Sequence, residues 1–303
     1  MQNVELIMKY VIKNFTFFVK GKIMREIKCI DIIEKVKQLC IEAACDLPDD
    51  VLNALINKKN EEDYSLAKKT LDVLIDNADL ARENMMTICQ DTGMAFVYVT
   101  MGQEVHIDGD LKEAINEGVR QGYQEGYLRK SVVDDPLFDR INTKDNTPAI
   151  IYFDIVTGDE FKIVVAPKGF GSENMSQIKM LKPSDGVQGV KDFVLKVVND
   201  AGPNACPPMV IGVGIGGSFD KVTLLSKQAM MREIGSHHPD SRYADLETEL
   251  LEMINATGIG PAGYGGKTTA LSLNIETHPT HIAGMPVAVS ICCHVARHKE
   301  ASL

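Results

Sequence analysis

The stretch MMTICQDTGMAFVYV, residues 85–99, decides how the chain divides. Before it, apolar residues recur at helical spacing; after it, β-type runs alternate with helices. The stretch itself reads as an apolar strand in which Cys89, Gln90, Asp91 and Thr92 are set in succession. Burying an amide or carboxylate without a partner costs roughly 2–7 kcal/mol, and a strand that only filled a core would carry Val or Ile there. A thiol beside a carboxylate therefore points to chemistry at this position.

Working back from residue 84, the spacing predicts helices. IKCIDIIEKVKQLCIEAAC (27–45) places Ile30, Ile33, Val36, Cys40 and Ala44 on one face, in a pattern that opens at Met24. A short helix follows the LPDD start signal, and YSLAKKTLDVLIDNADLA (64–81) carries a longer one. Ahead of them, Lys9, Lys13, Lys20 and Lys22 interrupt every apolar stretch. Residues 1–25 thus read as a leader of unknown role, neither a membrane span nor the apolar part of an export signal.

Working forward, DLKEAINEGVRQGYQEGYL (110–128) is a helix with Gly118, Gly122 and Gly126 on one face. Each costs about 0.8–1 kcal/mol against Ala, so another backbone is expected to pack closely there. AIIYFDIV, TGDE and FKIVVAP (149–167) read as a hairpin, and KGFGSEN (168–174) as a glycine loop. A helix over 186–202, a buried-type strand PMVIGVGIGG (208–217), a helix capped by Ser218 and another over 243–258 with Gly258 as C-cap follow. Two β runs, TTALSLNIET and PVAVSICC, flank HPTHIAGM near the C-terminus. The fold class is mixed α/β (α+β): a helical N-terminal part, then mixed sheets covered by helices, with residues 26–303 as one domain.

The bulk numbers narrow the function. At 303 residues, 45% hydrophobic and 24% charged, the chain is an ordinary globular protein. Its 42 acidic and 32 basic residues give a net charge of −10, without the basic, aromatic-interleaved patch that binds nucleic acid. Neither nucleic acid nor membrane is expected as a partner, and a cytoplasmic location is. Seven cysteines, an odd number spread along the chain, point to reduced thiols.

Two glycine motifs tempt. Gly212, Gly214 and Gly217 match GxGxxG after a strand, but the acidic-ended second strand that a dinucleotide site needs is missing from REIGSHHPDSRYADL. A tight strand-to-helix turn is the expected role, with a dinucleotide-binding oxidoreductase kept as an alternative. In PAGYGGKTTAL, Pro261 stands where a phosphate-binding loop needs glycine, so backbone room near a site is expected. His278 and His281 are spaced for zinc, with no nearby Cys or carboxylate to complete a tetrahedron.

Cys29, Cys40 and Cys45 fit a core helix. Cys89 before Gln-Asp, Cys206 before Pro207-Pro208 and Cys293 before His294 do not. They are 117 and 87 residues apart and form no local metal motif. Three converging thiolates would suit a four-iron four-sulfur cluster with one iron left open, the position a Lewis acid requires.

ICQDTGMAF, EGYLRKSVVDDPL, APKGFGSENMSQIKML, AGPNACPPMVIGVGIGGSFDK, GPAGYGGKTTAL and THPTHIAGMPVAVSICCHVARH, in this order, resemble the α subunit of the two-subunit class I (iron-sulfur) fumarate hydratases and the related L-tartrate dehydratases. The resemblance runs from about residue 26 to the C-terminus. It implies a 4Fe-4S cluster on Cys89, Cys206 and Cys293, a separate β subunit whose swivelling domain completes the site, and an α2β2 assembly. It further implies that Asp91 is a catalytic acid or base, that Gln90, Arg129 and Gly171 contact a small dicarboxylate substrate, with Arg129 clamping a carboxylate, and that His281 acts at the same site. Cys292 immediately precedes Cys293, and the CHVAR that follows favours the second of the pair. Phe170 stands where the family usually has a third glycine. The implied reaction is reversible hydration of fumarate to L-malate, with L-tartrate dehydration as the alternative and a non-catalytic cluster protein as a third reading.

Overall fold

The computed structural model of the protein describes residues 24–303. All but the last two residues of the leader thus lie outside the described residues. The first part contains β1 (Arg25–Lys28), α1 (Cys29–Cys45), α2 (Asp49–Glu61) and α3 (Ser65–Asn84). The middle contains β2 (Met94–Gly102), β3 (Val105–Asp108), α4 (Leu111–Glu125), β4 (Ile150–Val156), β5 (Phe161–Lys168), the one-turn α5 (Phe170–Glu173) and β6 (Gln177–Leu181). The last part runs through α6 (Gly186–Ala201), β7 (Met209–Gly216), α7 (Phe219–Ala229), α8 (Ser241–Asn255), β8 (Ala270–His278), β9 (Met285–Cys292) and β10 (Lys299–Ser302). The mixed α/β class is as expected. Among the described residues no helix is long and apolar enough to cross a membrane.

Two four-stranded sheets organise the chain, in the orders β10-β5-β2-β4 and β6-β9-β7-β8, beside a two-stranded β1-β3 pair. Ala95, Val97 and Val99 of β2 and Phe161, Ile163 and Val165 of β5 alternate onto one face. They bury it against Ile32, Val36, Leu39 and Cys40 of α1 and Ile115, Val119 and Tyr123 of α4. The glycine face of α4 does what its spacing predicts: an added Cβ at Gly118 would meet Val36 Cβ at 2.7 Å and Ile33 O at 2.8 Å, and one at Gly122 would meet Cys40 Cβ at 2.8 Å.

In the second sheet, β7 is buried on both sides, as a near-continuous apolar run requires. Val190, Phe193, Val194 and Val197 of α6 and Leu250 and Ile254 of α8 cover Ile211, Val213, Ile275 and Ile291. Helix α7 lies on the other side, close because Gly212 and Gly214 carry no Cβ; added there, one would fall 2.0 Å from Ser226 O and 2.2 Å from Val222 O. Thus the first two glycines of GxGxxG make room for a helix, while Gly216 and Gly217 take the positive φ of the turn. A third cluster, with Leu55 of α2, Leu71 of α3, Val210, Leu271, Cys292 and Val295, fastens the helical part to one end of this sheet.

Several local expectations need correction. Residues 25–28 are a strand paired with β3, so the first helix starts at Cys29 rather than near Met24. Residues 85–93 form a loop and the strand begins at Met94, so Cys89–Asp91 precede it. β4 and β5 make no hairpin: β2, the longest apolar run of the region, sits between them, parallel to β4 and antiparallel to β5. The TGDE turn wraps the end of β2, where an added Cβ on Gly102 would lie 2.2 Å from Gly158 O. KGFGSEN contains the helical turn α5. Ser218 stands at the N-cap of α7, but its hydroxyl bonds Asp220 rather than a helix N–H, and α8 ends at Asn255 with Ala256 as its C-cap, Gly258 lying in the turn beyond.

Candidate active site

The loop after α3 is fixed from both sides before it presents Cys89. Met85 takes a left-handed conformation that ends the helix. Ile88 N–H then bonds Ala44 O (3.0 Å), and Asn77 Nδ2 bonds Ile88 O (2.9 Å). Cys89 follows half-buried, with the Asp91 N–H 3.4 Å from its sulfur. The Asp91 carboxylate is held as an acceptor by two backbone donors, Gly93 N–H on Oδ1 (3.0 Å) and Phe170 N–H on Oδ2 (2.9 Å). Close approach of the Lys168 backbone requires Gly93, where a Cβ would come within 2.6 Å of Lys168 C.

Cys206 ends a short 3-10 turn over Gly202–Ala205 in the left-handed region, φ 52, ψ 63. For a residue with a Cβ this costs roughly 1–2 kcal/mol. The turn is closed by Cys206 N–H to Pro203 O (3.0 Å) and backed by the 260–266 loop, where Ala262 N–H bonds Pro207 O (2.8 Å). The PAGYGG glycines thus give backbone room beside a candidate site residue. Cys206 is exposed; partial burial pushes its thiol up, and the nearby Cys89 adds to that shift.

Cys293 follows β9. Its neighbour His294 bonds Cys206 O through both its N–H (3.4 Å) and Nδ1 (3.1 Å), so Nδ1 carries the proton, and the two cysteine segments are tied together. Cys292, the last residue of β9, is buried; Cys293 is half-buried. A hydrogen bond from Cys293 pulls the Cys292 thiol down against burial, with the Lys168, Arg297 and Lys227 cations adding to the pull. The same bond pushes Cys293 up.

A cavity of about 600 Å³ opens at Asp91, walled by Gly93, Val132, Arg140, Phe170 and Asn174 among others. The three cysteines are not in its wall; Asp91 joins the two features. Arg129 enters the neighbourhood through its backbone, whose carbonyl accepts from Thr92 Oγ1 (2.9 Å), and its side chain is exposed. Gln90 is exposed beside Cys89. Gly171 is open: an added Cβ would meet only Asn204 O, at 3.9 Å, on the turn before Cys206. The structure therefore brings Cys89, Gln90, Asp91, Arg129, Gly171, Cys206 and Cys293 to one region.

It does not bring His281 there. Val210 of β7 pairs with Cys292 and Gly216 pairs with His278, so the two ends of β7 separate them. Six residues of strand span about 20 Å. His281 sits exposed in the β8–β9 loop, where Nδ1 accepts from Ala283 N–H (3.1 Å).

Residues 33–302 match the sequence profile of the family described as Fumarate hydratase (Fumerase). The chain belongs to this family. It is therefore a hydro-lyase. A Methanocaldococcus jannaschii protein provisionally named L(+)-tartrate dehydratase subunit alpha is 43% identical over 271 residues, 88% of this chain and 95% of its own. The L(+)-tartrate dehydratase subunit alpha of Escherichia coli K12 is 34% identical over 255 residues, 83% of this chain and 84% of its own.

A cluster of the kind the resemblance implies can be tested against the site of this hydro-lyase. Among the described residues no three His, Cys, Asp or Glu side chains are gathered as ligands for a single ion. A four-iron cluster asks for something else, thiolates that each take a different iron, and three unpaired cysteines on adjacent loops are such a donor set. Arg297, buried beside them, donates to Asp91 O through Nη2, while its Nε and Nη1 are buried with no hydrogen-bond partner. Free guanidinium donors suit an anionic neighbour. Lys168 and Lys227 share the single carboxylate of Glu173, which leaves a further excess of positive charge near Cys292. The residues fit the group.

The sequence reading missed Arg297, Lys168, Lys227, Glu173 and Arg140. The only signal for Arg297 was a cation four residues past Cys293 in CHVARHK. The others come together only through the fold.

Proposed function

We propose that the chain is the α subunit of an iron-sulfur hydro-lyase that reversibly hydrates fumarate to L-malate and works with a separate β subunit, in an α2β2 assembly in the cytoplasm. The observation that carries the reading is the grouping of unpaired Cys89, Cys206 and Cys293 beside an Asp91 that opens onto a cavity of about 600 Å³. In this reading residues 26–303 are one cluster-binding domain. The relatives' names, subunit alpha, support a partner chain.

Cys89, Cys206 and Cys293 would hold the cluster. When bound, it supplies an open iron that acts as a Lewis acid on the hydroxyl group being gained or lost. The rest falls to the protein. Hydration places hydroxide on one carbon of the double bond and a proton on the next; dehydration removes both. Asp91 holds or moves a proton at the carboxylate oxygens that the Gly93 and Phe170 N–H groups keep in place. Arg129 takes a substrate carboxylate in a charge-assisted contact worth about 1.5–3 kcal/mol. Gln90 hydrogen-bonds the substrate, and Gly171 offers its uncovered backbone. His281 receives no step, because the register of β7 keeps it at the other end of the sheet.

A second reading, L-tartrate dehydration, is favoured by the names of the relatives. Both substrates are four-carbon dicarboxylates that react across adjacent carbons. The test is anaerobic assay of the chain complexed with its β partner, following fumarate hydration and L-tartrate dehydration side by side. Turnover of fumarate supports the first reading and turnover of tartrate alone the second. Turnover of neither overturns both.

A further inference from the structure

The wall of the Asp91 cavity contains a cation with no part in the account so far, Arg140. It reaches the cavity on a built support. Val133 and Asn142 form an antiparallel bridge, flanked by Asp134 N–H to Ile141 O (2.9 Å) and Thr143 N–H to Val132 O (3.0 Å). Residues 132–134 and 141–143 thus make a small ribbon with 135–140 as its tip. The Asp135 carboxylate closes that tip by accepting from the N–H groups of Leu137 (3.0 Å), Phe138 (2.9 Å) and Asp139 (2.7 Å). Those donors, with the Arg140 cation adding to them, hold it below its ordinary value.

The base of the ribbon is tied to the catalytic loop. Asn146 is fully buried, at 0% exposure; its Oδ1 accepts from Ser131 N–H (2.7 Å) and its Nδ2 donates to Gly93 O (3.1 Å), two residues from Asp91. Arg140 itself has φ 48, a conformation a side-chain-bearing residue keeps only where its surroundings over-determine it. Arg140 is exposed; its guanidinium donates to Pro136 O (2.5 Å), and its charge also acts on the Asp135 carboxylate of the same tip.

An acid at one wall and an exposed guanidinium at another make a site for a molecule that reacts near Asp91 and carries an anion at its far end. We infer that Arg140 binds the substrate carboxylate remote from Asp91, making the site selective for dicarboxylates over monocarboxylates. The planar fork of Arg matches a carboxylate bidentately, which Lys cannot reproduce. This rests on the proposed function, and it adds a second carboxylate contact to that of Arg129.

The test uses the complex of the full chain with its β partner, as wild type, Arg140→Gln and Arg140→Lys. Succinate and butyrate, equal in carbon number, serve as competitive inhibitors, beside KM and kcat for the substrate that is turned over and iron per chain. In Arg140→Gln the preference for succinate over butyrate should fall, and KM rise, on the order of tenfold or more. Iron content should stay at the wild-type level and kcat within about threefold, since the cysteines and Asp91 are untouched; Arg140→Lys should recover part of the preference. Unchanged KM and preference in Arg140→Gln, with an active wild type, overturn the role of Arg140 alone. A wild-type complex inactive on every four-carbon dicarboxylate overturns the proposed function and this inference with it.

Discussion

The two ends of the β6-β9-β7-β8 sheet carry residues of equal promise and arrange them very differently. At one end, Cys206 leads into β7 and Cys293 leaves β9; the strands are antiparallel neighbours, so residues 87 apart in sequence arrive together, with Cys89 brought alongside by the loop after α3. At the other end, Gly216 and Gly217 turn the chain into α7, and Thr280 bonds Gly217 O (2.9 Å) in the loop that holds His281. His281 and Cys293 are only twelve positions apart, yet β9 carries them to opposite poles. Antiparallel pairing makes distant positions neighbours and separates near ones.

The comparison can be broken at several points. The largest effect is expected at Asp91: Asp91→Asn should lower kcat of the complex by about 10²–10⁴-fold while leaving iron bound. Activity close to wild type would move the proton chemistry elsewhere. Next is Gly212→Ala. An added Cβ 2.0 Å from a backbone oxygen cannot be relieved by a side-chain rotation, so denaturant unfolding should show a loss of about 1–3 kcal/mol. A neutral substitution would contradict the packing role given to this glycine.

A smaller effect is expected from pH. Burial lowers His298 below its ordinary 6.5, with Asp50 and Glu300 opposing and Lys299 and Lys162 assisting. A group whose folded value is depressed leaves the unfolded state binding more protons, so its contribution is fully present above 6.5 and is lost as pH falls through 6.5 towards the folded value. Urea midpoints measured from pH 7.5 to 5 should therefore fall, and His298→Gln should flatten the fall. Smallest is His281→Ala, which should leave iron content and melting temperature unchanged; loss of iron would join the two poles after all.

Much of this was legible in the sequence. Periodicity located the helices, and the glycines at 118 and 122 announced the α1–α4 contact because a costly residue repeated on one face needs a reason. The cysteines stood out through their neighbours. Strand order was not legible: β4 and β5 have every local hairpin signal, and only the insertion of β2 between them, a long-range choice, removes it. The start of β2 was misread because the apolar residues from Met85 onwards continue across a loop that packs instead of pairing. Arg140 and Arg297 were invisible for a related reason, since one is defined by a cavity wall and the other by what surrounds a buried guanidinium.

The central claim is that the cysteine pole holds an iron-sulfur cluster. The direct measurement is iron and acid-labile sulfide in the chain purified anaerobically and reconstituted, wild type beside Cys206→Ala. The account predicts about four irons per wild-type chain and far fewer in the variant. Equal iron in both, or none in either, would contradict it.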